Sequence, residues 1–104
     1  MDETKIIKAF GYKDGVFIQR LIKEYKHKKK DIKSNGWVLI PRQKILQDTR
    51  LSIYVQKKIS DRLERMGILR IKREGIPPTN QYNLNMKKIN EIIKRKVNNE
   101  KSHV

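Results

Sequence analysis

With 104 residues, 26 of them lysine or arginine against 11 aspartate or glutamate, the chain has the length of one domain and a formal charge of +15. The absence of cysteine excludes disulfides, thiolate nucleophiles and cysteine-ligated zinc, and the two histidines, His27 in a lysine run and His103 near the end, form no metal cluster. No pairing of carboxylates, no nucleophile beside a base and no phosphate-cradling glycine loop stands out, so the expectation is a binding protein without enzymatic activity, cofactor or metal.

The charge is spread along the chain: residues 1–36, 37–85 and 86–104 carry +5, +6 and +4. Such a balance favours a polyanionic partner, while leaving DNA, RNA, an acidic membrane or an acidic protein open on composition alone. The longest apolar run, Trp37 to Ile40, is far short of a membrane span, and the start MDET is unlike a signal peptide. A cytoplasmic, nucleoid-associated protein with no membrane partner is expected.

Residues 1–13 sustain no period and are read as an arm or a short packed lead-in. From Asp14, an expected N-cap, Phe17, Leu21 and Tyr25 recur every four residues with Ile18 and Ile22 beside them, which makes one apolar helix face. That helix runs into Lys26, Lys28, Lys29 and Lys30, with Lys33 beyond, and Ser34, Asn35 and Gly36 end it. The lysines suit the negative end of the macrodipole; they could grip a phosphate, although a charge run closing a helix is more often simply its solvated end. Trp37 to Ile40 is a short β-prone run, with Trp37 read as core rather than as a platform for bases. Pro41 suits the first position of a new helix that buries Ile45 and Leu46.

Ser52 as N-cap and Gly67 as C′ frame a helix over Ile53–Met66, with Val55, Ile59, Leu63 and Met66 on the inward side. Ile68 to Arg73 and Asn80 to Leu84, flanking a loop with Gly75, Pro77 and Pro78, predict a hairpin. Asn85 caps a last helix over 86–97, and residues 98–104 are expected to fray. Its stripe of Met86, Ile89, Ile93 and Val97 is read as the seam of a homodimer, with packing on the Phe17 to Tyr25 helix as the alternative.

The outward side of the 53–66 helix carries Ile53, Tyr54, Lys57, Ser60, Asp61 and Glu64, with Gln56 on the flank. Phosphates would repel its acidic rear, so only the first two turns suit a DNA groove. There Lys57 could donate to guanine, Gln56 could bridge adenine N6 and N7, Ile53 could sit against thymine methyls, and Tyr54 could meet a base edge or a phosphate. Ordinary readings stand beside these: Ile53 completing the packing of the turn, Tyr54 lying over the junction, Lys57 pairing with Asp61. Arg42, Lys44, Arg50, Ser52, Arg70, Lys72 and Arg73 are the candidate phosphate contacts, although alternating Arg70, Ile71 and Lys72 also describes any half-buried strand.

Trp37, Leu46, Thr49, Leu51, Ser52, Val55, Ile59, Leu63, Gly67 and Ile68, then Gly75-Ile76-Pro77-Pro78 and Tyr82-Asn83-Leu84-Asn85, occur in an order that resembles winged helix-turn-helix domains of phage and plasmid replication proteins and plasmid-partition proteins. The resemblance covers about residues 14–90 and departs from the family at Arg50, where such turns often have glycine. It implies an α+β fold, a three-helix core with a β-hairpin wing and a C-terminal helix, that binds double-stranded DNA through the helix from Ser52 and the hairpin around Gly75. Transcription regulation, replication and partition all use such a module. A homodimer would set two recognition helices one DNA turn, about 34–36 Å, apart. The alternative from another class is a structural RNA-binding or ribosome-associated basic protein.

Overall fold

The computed structural model describes residues 3–27, 36–75 and 78–101, with side chains from residue 4 to residue 96 of those ranges. Its elements are α1 (Glu3–Phe10), α2 (Tyr12–His27), β1 (Trp37–Leu39), α3 (Arg42–Thr49), α4 (Ile53–Arg65), β2 (Leu69–Glu74), β3 (Thr79–Leu84) and α5 (Met86–Lys101). The chain is thus mixed α+β, with a three-stranded antiparallel sheet in the order β1-β3-β2. Lys28, Lys29, Lys30, Lys33, Ser34, Asn35, Pro77, the Val97 side chain and His103 lie outside the described residues. None of the described helices is long and apolar enough to cross a membrane.

Residues 3–10 form a helix, α1, that packs on α2 and α5 and buries Ile6 and Ala9. Gly11 ends it in a left-handed conformation (φ +91) and its carbonyl accepts the Gly15 N–H at 2.8 Å, so one glycine closes α1 and opens α2. The second helix therefore begins at Tyr12, and Asp14 sits in its first turn rather than capping it. There the Asp14 carboxylate is taken up by Arg62 of α4, at 2.6 and 2.9 Å, which ties the two helices across the fold.

Phe17, Ile18 and Leu21 of α2 are fully buried, each stabilising the fold by roughly 1.5–3 kcal/mol. Around them close Val38, Ile40, Ile45, Leu51, Ile59, Leu63, Ile68 and Leu69. Phe17 meets Tyr82 of β3 edge to face, with centroids 6.0 Å apart. In the sheet Val38, Tyr82 and Ile71 stand in one row toward the helices; the alternating residues, with Trp37, Asn83 and Arg70 in one row, stand on the other face.

The end of α4 is set by Gly67 (φ +75): its N–H donates to Glu64 O at 3.0 Å and the Ile68 N–H to Leu63 O at 3.0 Å, a Schellman closure. The Ile68 carbonyl then accepts the Asn85 N–H at 2.7 Å, and Asn85 Oδ1 accepts the Lys88 N–H at 3.1 Å, capping α5. Along α5, Ile89 and Ile93 are buried in the core and Met86 packs against it, while the helix continues beyond Val97 to Lys101. Ile89 and Ile93, the middle of the stripe read as a dimer seam, are therefore taken up inside the chain, where α1, which the sequence left without a period, packs on α5.

At Gly15 the α1 and α2 backbones touch: a Cβ there would lie 2.8 Å from the Ile7 Cα. Gly15→Val is expected to lower stability by roughly 1–3 kcal/mol in urea denaturation, although valine is the better helix former. An unchanged midpoint would mean that α1 does not pack this closely.

Candidate nucleic-acid interface

The α3–α4 unit is built by short-range bonds that leave its turn little freedom. Pro41 precedes α3 as its N-cap, so the proline stands one place before the first helical residue rather than on it. At the other end Thr49 Oγ1 donates to Ile45 O at 2.6 Å and accepts the Leu51 N–H at 3.1 Å. Arg50 is left-handed (φ 64, ψ 12), the one non-glycine among the described residues with positive φ, and its N–H closes on Leu46 O at 2.8 Å. The turn thus keeps the shape that glycine usually serves, at about 1 kcal/mol for the arginine. Leu51 is buried, and Ser52 Oγ caps α4 by accepting the Val55 N–H at 3.1 Å.

Gln56 is not available to a base edge. It is 2% exposed, and its Nε2 donates to Arg42 O at 3.1 Å and Leu51 O at 2.9 Å, bracing α3 and the turn against α4. Its Oε1 is buried without a hydrogen-bond partner among the described residues. The inward side of α4 is accordingly Gln56, Ile59, Ser60 and Leu63, with Val55 half-buried. Met66 caps the helix and is 38% exposed, so the apolar face is rotated from the expected one, and Ser60 belongs inside rather than on the outward side. Polarity alone places glutamine outside and methionine inside; the Arg42 and Leu51 carbonyls are what hold Gln56 in the interior.

Tyr54, 68% exposed with Lys58 Nζ 4.7 Å over its ring, and Lys57 lie on the outer surface of α4, and Ile53 is half-buried. Lys57 pairs with Asp61 at 3.3 Å between exposed side chains, a contact worth a few tenths of a kcal/mol that an incoming phosphate or base displaces easily. Acidic residues are absent from the first turn of α4. A cleft of about 170 Å³ separates α4 from the hairpin, with Arg42, Lys57, Asp61, Glu64, Arg73 and Asn80 at its walls. In that cleft Tyr82 is buried; burial pushes its phenol up, opposed by Asn80 Nδ2 donating to its oxygen at 3.1 Å. A second concavity continues from Arg42 and Ile53 to Pro78 and Thr79 at the hairpin end.

The expected phosphate contacts divide. Arg42 and Arg73 line the cleft, and Arg50 and Ser52 are exposed at the turn before α4. Lys44 is exposed and 3.7 Å from Asp48, whose carboxyl is held below the usual aspartate range chiefly by the hydrogen bond from Arg20 at 2.7 Å, which links α2 to α3. Arg70 and Lys72 do not join Arg73. Strand alternation puts them on the opposite face of the sheet, where Arg70 Cζ is 5.2 Å and Lys72 Nζ 4.5 Å from the centre of the Trp37 ring. Trp37 is half-buried on that same face and not in the core. No protein-family model, curated protein or solved structure matches the chain.

Two substitutions separate bracing from strain. Gln56→Ala, which leaves the Arg42 and Leu51 carbonyls without their donor, is expected to cost roughly 1–3 kcal/mol of stability. Arg50→Gly, which relieves the left-handed strain, is expected to gain up to about 1 kcal/mol. Thermal melts of both variants decide it: a neutral Gln56→Ala would return that side chain to the surface.

Proposed function

We propose that the chain is a winged helix-turn-helix protein that binds double-stranded DNA sequence-specifically, with α4 as the recognition helix in the major groove and the β2–β3 hairpin as the wing on the backbone. The observation that carries this reading is the first two turns of α4: Tyr54 and Lys57 are exposed with no acidic residue in the first turn, and Lys57 lines the cleft that Arg73 also lines. Ile53 and Lys57 are the base readers proposed, Tyr54 serves a base edge or a phosphate, and Arg42, Lys44, Arg50, Ser52 and Arg73 position the backbone. Gln56 acts on binding only through the turn that it braces.

Asp61 and Glu64 limit the contact. They lie toward the rear of α4 and on the cleft, so a duplex approaches the helix by its N-terminal end, as helix-turn-helix docking requires. The proposal is made for one copy of the chain on one site, since Ile89 and Ile93 are spent on its own core. The biological role then follows from where sites lie: repeated sites indicate partition, sites at an origin indicate replication, and a single site at the protein's own promoter indicates repression.

Selection from a random duplex library is expected to return a motif with the wild type and a relaxed motif with Lys57→Ala, at a loss of roughly 1–3 kcal/mol for the base pair concerned. Affinity should fall steeply with salt as counterions are released. Failure to recover any motif, or preference for structured RNA over duplex DNA at one salt concentration, would overturn the proposal in favour of a ribosome-associated or other RNA-binding role. A motif unchanged by Lys57→Ala removes that residue as a reader.

A further inference from the structure

The face of the sheet turned away from the helices carries a second arrangement of cations, and it is organised around the chain's single tryptophan. Across β1, β3 and β2 the register sets Trp37, Asn83 and Arg70 in one row and Leu39, Gln81 and Lys72 in the next. The core row Val38, Tyr82 and Ile71 faces the other way, toward α2 and α4, and among the described residues of this side Leu39 is 44% exposed and Arg70 is exposed. Both cations lie over the indole, and among the described residues Glu74 stands at the far end, 3.6 Å from Lys72 and 3.4 Å from Gln81.

We propose that this face binds single-stranded DNA, with a base stacked on Trp37 and its phosphates held by Arg70 and Lys72. A flat aromatic side chain, amide side chains able to meet base edges and flanking cations are the elements by which proteins hold unpaired strands. Duplex DNA cannot use the indole, because its bases are already stacked on one another; an acidic peptide would engage the cations but leave the ring without a partner. In the absence of a strand, Arg70 and Lys72 cover the ring. Both are long, flexible side chains at the surface, and a strand exchanges their weak contact with the indole for phosphate oxygens while a base takes their place.

The choice of DNA over RNA rests on the reading of α4 as a duplex reader; the rest of the inference does not. The two surfaces lie on opposite sides of the sheet, so a protein holding a duplex along α4 could keep an adjoining unpaired strand on the Trp37 face.

Tryptophan fluorescence excited at the red edge of the indole band, where the four tyrosines do not absorb, reports on Trp37 alone and tests this in the intact chain. Titration with a short oligothymidylate is expected to quench the emission saturably, and Trp37→Leu to weaken binding by roughly tenfold, within the range that loss of one stacked base produces. Because a change at the half-buried Trp37 could disturb folding, Arg70→Gln with Lys72→Gln is the second variant: it should lose at least as much affinity for the single strand while duplex site selection returns the same motif. Saturable binding with unchanged emission, equal quenching by blunt duplex or by polyglutamate, or tighter binding of oligouridylate would overturn the assignment. Quenching that persists when no duplex motif is found would defeat the reading of α4 and leave a single-strand face; a motif without quenching would do the reverse.

Discussion

The carboxamide of Gln56 holds the α3–α4 unit together more than any other single group. Its two donor hydrogens reach the carbonyl of the first residue of α3 and the carbonyl of Leu51 in the turn, so one side chain from α4 fixes both ends of the segment before it. Buried bonds of this kind contribute little net when formed and are costly when one partner is removed. Thr49, closing on Ile45 and receiving Leu51, and Ser52, capping Val55, then add only local restraint to a turn whose geometry is already set. The angle at which Tyr54 and Lys57 meet a groove is thus decided from inside the protein. Arg50 can occupy a left-handed position in that turn because everything around it is held.

The second organising fact is the two-residue period of β2. A run of Arg70, Ile71, Lys72 and Arg73 reads as one basic patch in the sequence and is divided by the pleat into two surfaces with different neighbours. Arg73 shares a cleft with the rear of α4 and its acidic residues, whereas Arg70 and Lys72 share an indole. Charge alone therefore does not make these residues equivalent. What each can bind depends on whether an aromatic plane or a pair of carboxylates stands beside it.

Most of the element order was legible, and the reason is that the signals were local. Ser52, Gly67 and Asn85 act through bonds to residues within five positions of themselves or through their own backbone angles, and each was read correctly as a cap. The rotation of α4 about its axis was not legible, because it depends on Gln56 finding carbonyls in a different element. The first helix was missed for a related reason: Ile6 and Ala9 cover only one turn, and what buries them is the close approach at Gly15 and the inward side of α5. Trp37 was misplaced because a lone tryptophan in a β-prone run has no partner in sequence that says which face of the sheet it occupies.

Ile68 occupies a junction whose meaning extends past the end of α4. Its N–H finishes the helix on Leu63, and its carbonyl begins α5 by accepting from Asn85, so a single residue indexes the two helices to each other. The hairpin between them leaves and returns to that point as a closed excursion. Length can change in the excursion without moving either helix. One residue added or lost between Leu63 and Ile68 would instead turn α5, and α1 packed on it, relative to the surface that carries Tyr54 and Lys57. In this sense α5 is geared to α4 through one amino acid, while α1 is held to it also by way of α2 and the Asp14–Arg62 pair.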